Sequence, residues 1–446
     1  MERGRGGGLR LGAHGQVRAG EGAAVGWAFT YFFCLIGSFY VLRPIREEMG
    51  IRGGVDQLQW SFTATFLVML VAVPVYSALV ARVPRSRAVP IVYAFFAACL
   101  VAFHVAFRID PHQPIVARTF FTWLSVFNLF VVAVFWSLMA DLFTSEQGRR
   151  LFGLVAGGGS AGALAGSALT GSLVHAVGVA NILLFSVALL AGAAFCATRL
   201  AAWARAAGRG VAPGARDADP LGGSAWSGFA AVVRSPYLLG TAALMLLFTL
   251  GSTFLYFQQA RIVAQAFPDP ATRPALFAWM DFAVSLGSLG FQTLATGPIA
   301  ATFGLLPALT VVPLLTTAGF LALALVPGLW SLVAFQGLRR VSEFAFQRPA
   351  RDVLYTVVSR DEKYKAKSFV DTVVYRGGDT LGGWAFEGLK AAGLSASALA
   401  LSAVPFAVAS IFVGVWLARE HARRERAGAP AASGAAPVPG GAEVPR

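Results

Sequence analysis

The chain is divided into apolar runs of about 20 residues, the length at which a helix rising ~1.5 Å per residue crosses a ~30 Å hydrocarbon layer. Twelve such runs occur, at 24–42, 59–81, 88–107, 115–140, 152–175, 179–200, 237–258, 275–300, 304–326, 329–347, 368–391 and 395–418. A bilayer interior gives backbone N–H and C=O groups no water, so only helices and closed barrels span it. These runs are too long and too continuously apolar for barrel strands, so each is predicted to be a helix. The tenth and eleventh carry charge and are the least regular. Composition excludes the soluble alternative: 57% of the 446 residues are hydrophobic, 13% are charged and the mean hydropathy is +0.66. No soluble core of this size buries that much apolar surface. The predicted class is an all-α integral membrane protein with twelve transmembrane helices.

Orientation follows from the basic residues. On alternate sides of this topology, 27 of the 36 Lys and Arg fall on the side of both termini, eight on the other, and Arg376 lies within a span. The 27 include eight assigned to the loop after span 10, Arg339 and Arg340 among them. The positive-inside rule then makes both termini cytoplasmic and places the chain in a bacterial inner membrane. The net charge of +14 is thereby a topology signal, with no dense basic surface of the kind that binds nucleic acid. The Arg- and Gly-rich leader Met1–Glu21 precedes an apolar run too long for a signal peptide and without a clear cleavage site, so the first helix is expected to be retained.

The sequence divides at 201–236, a Gly-, Pro- and Arg-rich stretch. The expected organisation is a leader at 1–23, a six-helix bundle at 24–200, a central loop at 201–236, a second bundle at 237–418 and a disordered tail at 419–446. The bundles look like repeats. A displacement of 216 aligns Glu146, Arg149, Gly162 and Gly166 with Glu362, Lys365, Gly378 and Gly382, and one of 220 aligns 77–84 with 297–304. Two pseudo-symmetric six-helix bundles with cytoplasmic termini resemble the major facilitator fold, whose substrate site lies between the halves. The loop at 77–87 is similar to that superfamily's signature between helices 2 and 3. Leu79, Arg82, Arg85 and Arg87 match it, while Ser77 and Ala81 replace its Gly and Asp.

Ionisable groups at membrane depth are costly unless they meet water or a partner, so they mark candidate sites. Span 11 places Asp371, Tyr375, Arg376, Asp379 and Glu387 within an arc of about 160°. Arg376 and Asp379, three residues apart, form either a structural ion pair or a cationic anchor beside a proton-coupling carboxylate. Span 8 has Asp281, Ser285, Ser288 and Gln292 in one stripe. Span 7 has Thr249, Ser252, Thr253 and Tyr256 on one side, and span 1 has Trp27, Tyr31, Cys34 and Ser38 at regular spacing. Each stripe is either helix packing or a pore lining. Asn128 stands alone in span 4. Arg43 and Arg46 oppose the positive-inside bias at the far end of span 1, either neutralised by Glu47 and Glu48 or held for bidentate anion contact. Lys363, Lys365 and Lys367 are three of only four lysines, forming a membrane-surface cluster or a mouth for polyanions.

Four segments resemble the bacterial and plastid nucleotide transporters of the ATP/ADP exchange type. They are LRPIREEMG at 42–50, ADLFTSEQGRRLFGLVAGGGSAG at 140–162, SPYLLGTAALMLLFT at 235–249 and LYTVVSRDEKYKAKSFVD at 354–371. The resemblance implies phosphate or anion contacts at Arg43 and Arg46 and loop roles for Lys365 and Lys367. Two features depart from that family: Arg46 and Glu47 replace a Lys and an Asp, and no acidic residue occurs between Asp219 and Asp269.

The functional expectation is a secondary transporter of a small, anionic, nucleotide-like solute, working by alternating access as a monomer. Arg43, Arg46, Asn128, Tyr256, Gln292 and Arg376 are the candidate substrate contacts. Asp281, Asp371, Asp379, Arg82, Lys365 and Lys367 are the candidate coupling or gating residues, with protons or a counter-solute as driving partner. The alternatives are a proton-coupled exporter of amphipathic compounds and a non-transporting scaffold or sensor. Enzyme and cofactor chemistry is not expected. The five histidines and three cysteines (Cys34, Cys99, Cys196) are scattered, and no GxxxxGK[ST] phosphate loop occurs. The run at 157–166 (GGGSAGALAG) is read as close helix packing.

Overall fold

A computed structural model describes residues 17, 18, 20–82, 85–206, 225–294 and 304–428, with only the backbone described at 76–82, 85–88, 225–227, 292–294 and 360–361. Helices account for nearly all of them, and among the described residues there is no strand. The first half has α1 (Gly22–Arg52), α2 (Leu58–Arg82), α3 (Arg85–Ile109), α4 (Pro114–Leu142), α5 (Ser145–Val177) and α6 (Val179–Ala206). A short α7 (Ala225–Arg234) leads into the second half: α8 (Pro236–Ala266), α9 (Arg273–Leu294), α10 (Leu305–Leu325), α11 (Leu329–Ser342), α12 (Arg348–Leu354), α13 (Arg360–Phe369), α14 (Tyr375–Ala391) and α15 (Ala396–Gly428). Among the described residues ten helices are long and apolar enough to cross a bilayer. The other two expected spans, the charged tenth and eleventh, are each helical but interrupted. A π turn at Glu343–Gln347 joins α11 to α12, and another at Val370–Val374 joins α13 to α14. The architecture is therefore compatible with twelve spans.

Local chemistry fixes the helix starts. Thr144 accepts from the Gln147 backbone N–H, while the Gln147 side chain returns to the Thr144 N–H, a reciprocal cap at the head of α5. Ser359 and Glu362 make the same cap at the head of α13. Ser235 caps α8 with Pro236 at its first position, where the missing N–H costs nothing.

The glycines of α5 act as the sequence suggests. A Cβ at Gly158, Gly162 or Gly166 would stand 2.3, 2.3 or 2.5 Å from the carbonyl oxygen of Phe29, Phe33 or Gly37, so α5 lies backbone to backbone on α1. In the second half, a Cβ at Gly378 would strike Thr249 and one at Gly382 would press on Thr253, both on α8. The fifth span thus packs on the first as the eleventh packs on the seventh. These glycines are related by 216 residues, but the matched caps, Thr144 with Ser359, are related by 215. The π turn at Val370–Val374 lies between cap and glycines and holds the additional residue. Glu362 is consequently the counterpart of Gln147, not of Glu146 as the uniform displacement implied.

Contacts between the halves gather at the end away from the termini. Trp60 of α2 meets Trp384 of α14 edge to face at 4.8 Å, and the Trp384 indole N–H donates to Thr63 Oγ1 at 3.1 Å. Arg261 of α8 bridges Asp56 and Glu387 at 3.1 and 2.8 Å, and Lys390 also pairs with both. The fully buried Glu48 carboxylate of α1 lies 3.3 Å from Arg52 and 3.5 Å from Arg273 of α9. At the opposite end, no ion pair between described residues joins the halves.

Candidate functional site

Between the halves lies a cavity of about 640 Å³, within the range that holds a small organic ligand. Its walls come from α1, α2, α4 and α5 on one side, and from α8, α9, α11, α12, α14 and the first π turn on the other. Counted as spans, these are 1, 2, 4 and 5 with 7, 8, 10 and 11. Among the described residues spans 3, 6, 9 and 12 give it none, so the two halves build the cavity in the same way.

Among the described residues six arginines line it: Arg43, Arg46, Arg339, Arg340, Arg348 and Arg376. Three carboxylates, Glu47, Glu343 and Asp379, stand among them. Asp281 sits behind the wall, 2.7 Å from Arg340 and 3.7 Å from Arg43, so one carboxylate of the second half holds an arginine from each half. Arg46 is 3.5 Å from Glu47, donates to the Phe121 carbonyl at 3.3 Å and lies 3.8 Å over the Phe121 ring. Arg376 is 3.6 Å from Asp379, which also accepts from Thr253 Oγ1 at 3.2 Å. The ion pair suggested by the spacing of Arg376 and Asp379 is thus present, and both members face the cavity.

Of the other residues singled out in the sequence, Asn128 and Tyr256 line the cavity, as do Ser285 and Ser288 beside Asp281. Ser252, Thr253 and Tyr256 turn the α8 stripe inward, while Thr249 is buried against Gly378. The α1 stripe is packing: Tyr31 bonds Tyr93 and Ser38 bonds Ser186, whereas the neighbouring Phe32, Ile36, Phe39 and Tyr40 reach the cavity. Asp371 and Glu387 do not line it, so the arc expected of span 11 is split. Glu387 belongs to the ion-pair network at the sealed end. Asp371 is the second residue of the second π turn, whose extra residue turns the helix beyond it by about 100° relative to Asp371. Lys365 and Lys367 lie on α13, where Lys367 pairs with Asp352 at 2.6 Å. The side chains of Arg82 and Gln292 lie outside what is described, and of the signature segment at 77–87 only the backbone is described, without residues 83 and 84.

Sequence reasoning did not select Arg339, Arg340, Glu343, Phe344 or Arg348. The first two had been counted as loop charges, although 329–347 was itself drawn as a span. An intramembrane reading of those two arginines was therefore accessible. Arg348 was not, because only the π turn at Glu343–Gln347 brings it round to the face of Arg339.

No protein-family model matches the sequence, and no curated protein matches it. Solved structures do. An in meso crystal structure of the POT family transporter PepTSo is 14% identical, covers 91% of this chain and 98% of its own, and superposes with a TM-score of 0.62. For the nucleoside transporter NupG, solved as a point mutant, the values are 13%, 88%, 98% and 0.60. For a bacterial homologue of the human lysosomal transporter Spinster, in an inward-facing and unoccupied conformation, they are 15%, 92%, 98% and 0.55. With these likenesses along nearly the whole chain, and a cavity built by equivalent spans of two bundles, the protein has the major facilitator fold.

Proposed function

We propose that this protein is a secondary transporter that moves a small organic anion across a membrane by alternating access. The observation that carries this reading is the excess of six arginines over three carboxylates around one cavity between two helical bundles. Buried cationic charge is costly unless an anion answers it. A solute supplying that charge binds where both halves can touch it, which is what a rocking transporter needs. The structural neighbours are described as transporters of peptides and of nucleosides and as a homologue of a lysosomal transporter, which supports the class of activity and leaves the solute open.

With residues 24–200 and 237–418 as the moving bundles and the termini in the cytoplasm, the sealed end faces outward and the cavity faces inward. Asp281 and Asp379 are the coupling candidates, since each holds a cavity arginine that a substrate or a proton can release. Nucleotide exchange is the finer form of the reading and rests on the four segments that resemble the exchange family. The test is uptake into proteoliposomes of labelled ADP, citrate and glutamate, with tetraphenylphosphonium and ethidium as cationic comparisons. Saturable uptake of an anion is expected; accumulation of the cations alone removes this reading in favour of an exporter of amphipathic compounds.

A further inference from the structure

The cavity arginines fall into two groups. Arg43, Arg46, Arg340 and Arg376 each have a carboxylate within 4 Å: Asp281, Glu47, Asp281 and Asp379. Arg339 and Arg348 have none among the described residues. Both are steadied by aromatic faces instead. The Arg339 guanidinium lies 4.9 Å from the Phe248 ring, and that of Arg348 lies 4.7 Å from the Phe344 ring. A ring face attracts a cation without cancelling its charge or occupying its N–H donors. Arg339 is 4% exposed, with Ser252 as its hydrogen-bond partner and a buried Nε that has no acceptor. This buried charge thus has no carboxylate within ion-pair distance, and Glu343 acts on it only from farther off. Other polar atoms nearby also lack partners, the Ser288 hydroxyl and Gln336 Oε1 among them.

The two arginines bracket the π turn at Glu343–Gln347. In an uninterrupted helix, positions nine apart lie on opposite sides; the inserted residue swings Arg348 by about 100° toward the face of Arg339. Along the helix axis they remain about 13 Å apart between their backbones. Arg348 is the exposed one, nearer the end where no ion pair closes the halves. Glu343, on the turn between them, is beyond 4 Å of either and leaves them a net positive pair.

We infer that Arg339 and Arg348 are the substrate's charge-binding residues and that the substrate is an organic dianion with two separated anionic groups, one on each arginine. This deepens the proposed transport of an organic anion and rests on it. The four paired arginines then hold the cavity together, and Arg43 and Arg340, sharing Asp281, tie its two walls.

Binding to the purified full-length protein in detergent, followed by calorimetry, tests this with α,ω-dicarboxylates of increasing length. Hexanoate, dimethyl adipate and glycerol 3-phosphate are the single-headed or neutral comparisons. A dicarboxylate is expected to bind best, with R339Q and R348Q each weakening it by roughly tenfold, the loss expected for one charge-assisted contact. R339K and R348K keep the charge and are expected to recover part of the loss. Because Arg348 is exposed, R348Q retains the fold even if R339Q does not. Wild-type affinity in R348Q and R348K, combined with loss in R376Q, would place the anion on a paired arginine and overturn the inference while leaving anion transport intact. Tighter binding of glycerol 3-phosphate than of every dicarboxylate would overturn the separated charges. Binding of none of these anions, together with cation uptake in the proteoliposomes, would remove the transport reading as well.

Discussion

Glu21 stands one residue before α1 and is tied to the head of α5. It accepts from the Gln147 side chain at 2.7 Å and the Arg18 backbone N–H at 3.0 Å, and pairs with Arg150 at 3.1 Å. These bonds favour the carboxylate, the Gln147 bond most of all, and hold its pKa down at about 2, below the ordinary 4.5. A carboxyl depressed on folding adds stability that is fully present above its unfolded pKa and is lost as pH falls through the folded value. Thermal unfolding in detergent is therefore expected to move down between about pH 4.5 and 2 in the wild type, and E21Q is expected to flatten that part of the profile. A wild-type midpoint that is level across the window would contradict the assignment. At the same scale, D281N removes the carboxylate shared by Arg43 and Arg340 and leaves two neighbouring guanidinium groups facing each other. The expected result is a fall in transport larger than that of N128A, measured as initial uptake rate.

The spans were legible because their length and apolar continuity are dictated by the bilayer and need no knowledge of packing. The interruptions within the charged spans were not. A π turn adds one residue without altering hydropathy, so a wheel drawn at 100° per residue runs on through it. That is why Asp371 was placed with Tyr375 and Arg376, and why Arg348 was overlooked while Arg376 was found. The glycine run could be read because packing without side chains is written directly in the composition, whereas the unpaired state of Arg339 depends on what four other helices bring to it. Deleting Thr372 should remove the additional residue, restore an uninterrupted helix and leave Arg376 and Asp379 on the cavity face, since the turn is one inserted residue. Transport is expected to persist in that deletion, with helix content unchanged by circular dichroism; loss of transport would mean that the π turn itself is needed. G162A is expected to cost about 1–3 kcal/mol through overpacking against α1, while G153A, whose Cβ meets nothing within 4 Å, serves as the neutral control.

For the molecule as a whole, alternating access requires the sealed end to part. The barrier includes the Trp60–Trp384 contact and two charged groups: Glu48 with Arg52 and Arg273, and Asp56 and Glu387 with Arg261 and Lys390. A cysteine pair at Thr63 and Trp384, in a background freed of Cys34, Cys99 and Cys196, should be bridged by a short bis-methanethiosulfonate reagent that fills the place of the indole. Uptake is expected to stop and to return with reductant; unchanged uptake in the cross-linked protein would mean that this seam does not open. Weakening the same seam through D56N should increase labelling of a cavity cysteine from the sealed side. The glycine ladder of α5 carries a different consequence, for how this sequence can drift. Every residue that could replace Gly158, Gly162 or Gly166 brings a carbon atom into space already held by the α1 backbone. No later change of a neighbouring side chain can make room, because the neighbour is main chain. In a saturation-mutagenesis selection for function, these positions should therefore form three empty columns spaced by four, even where α1 has been randomised around them.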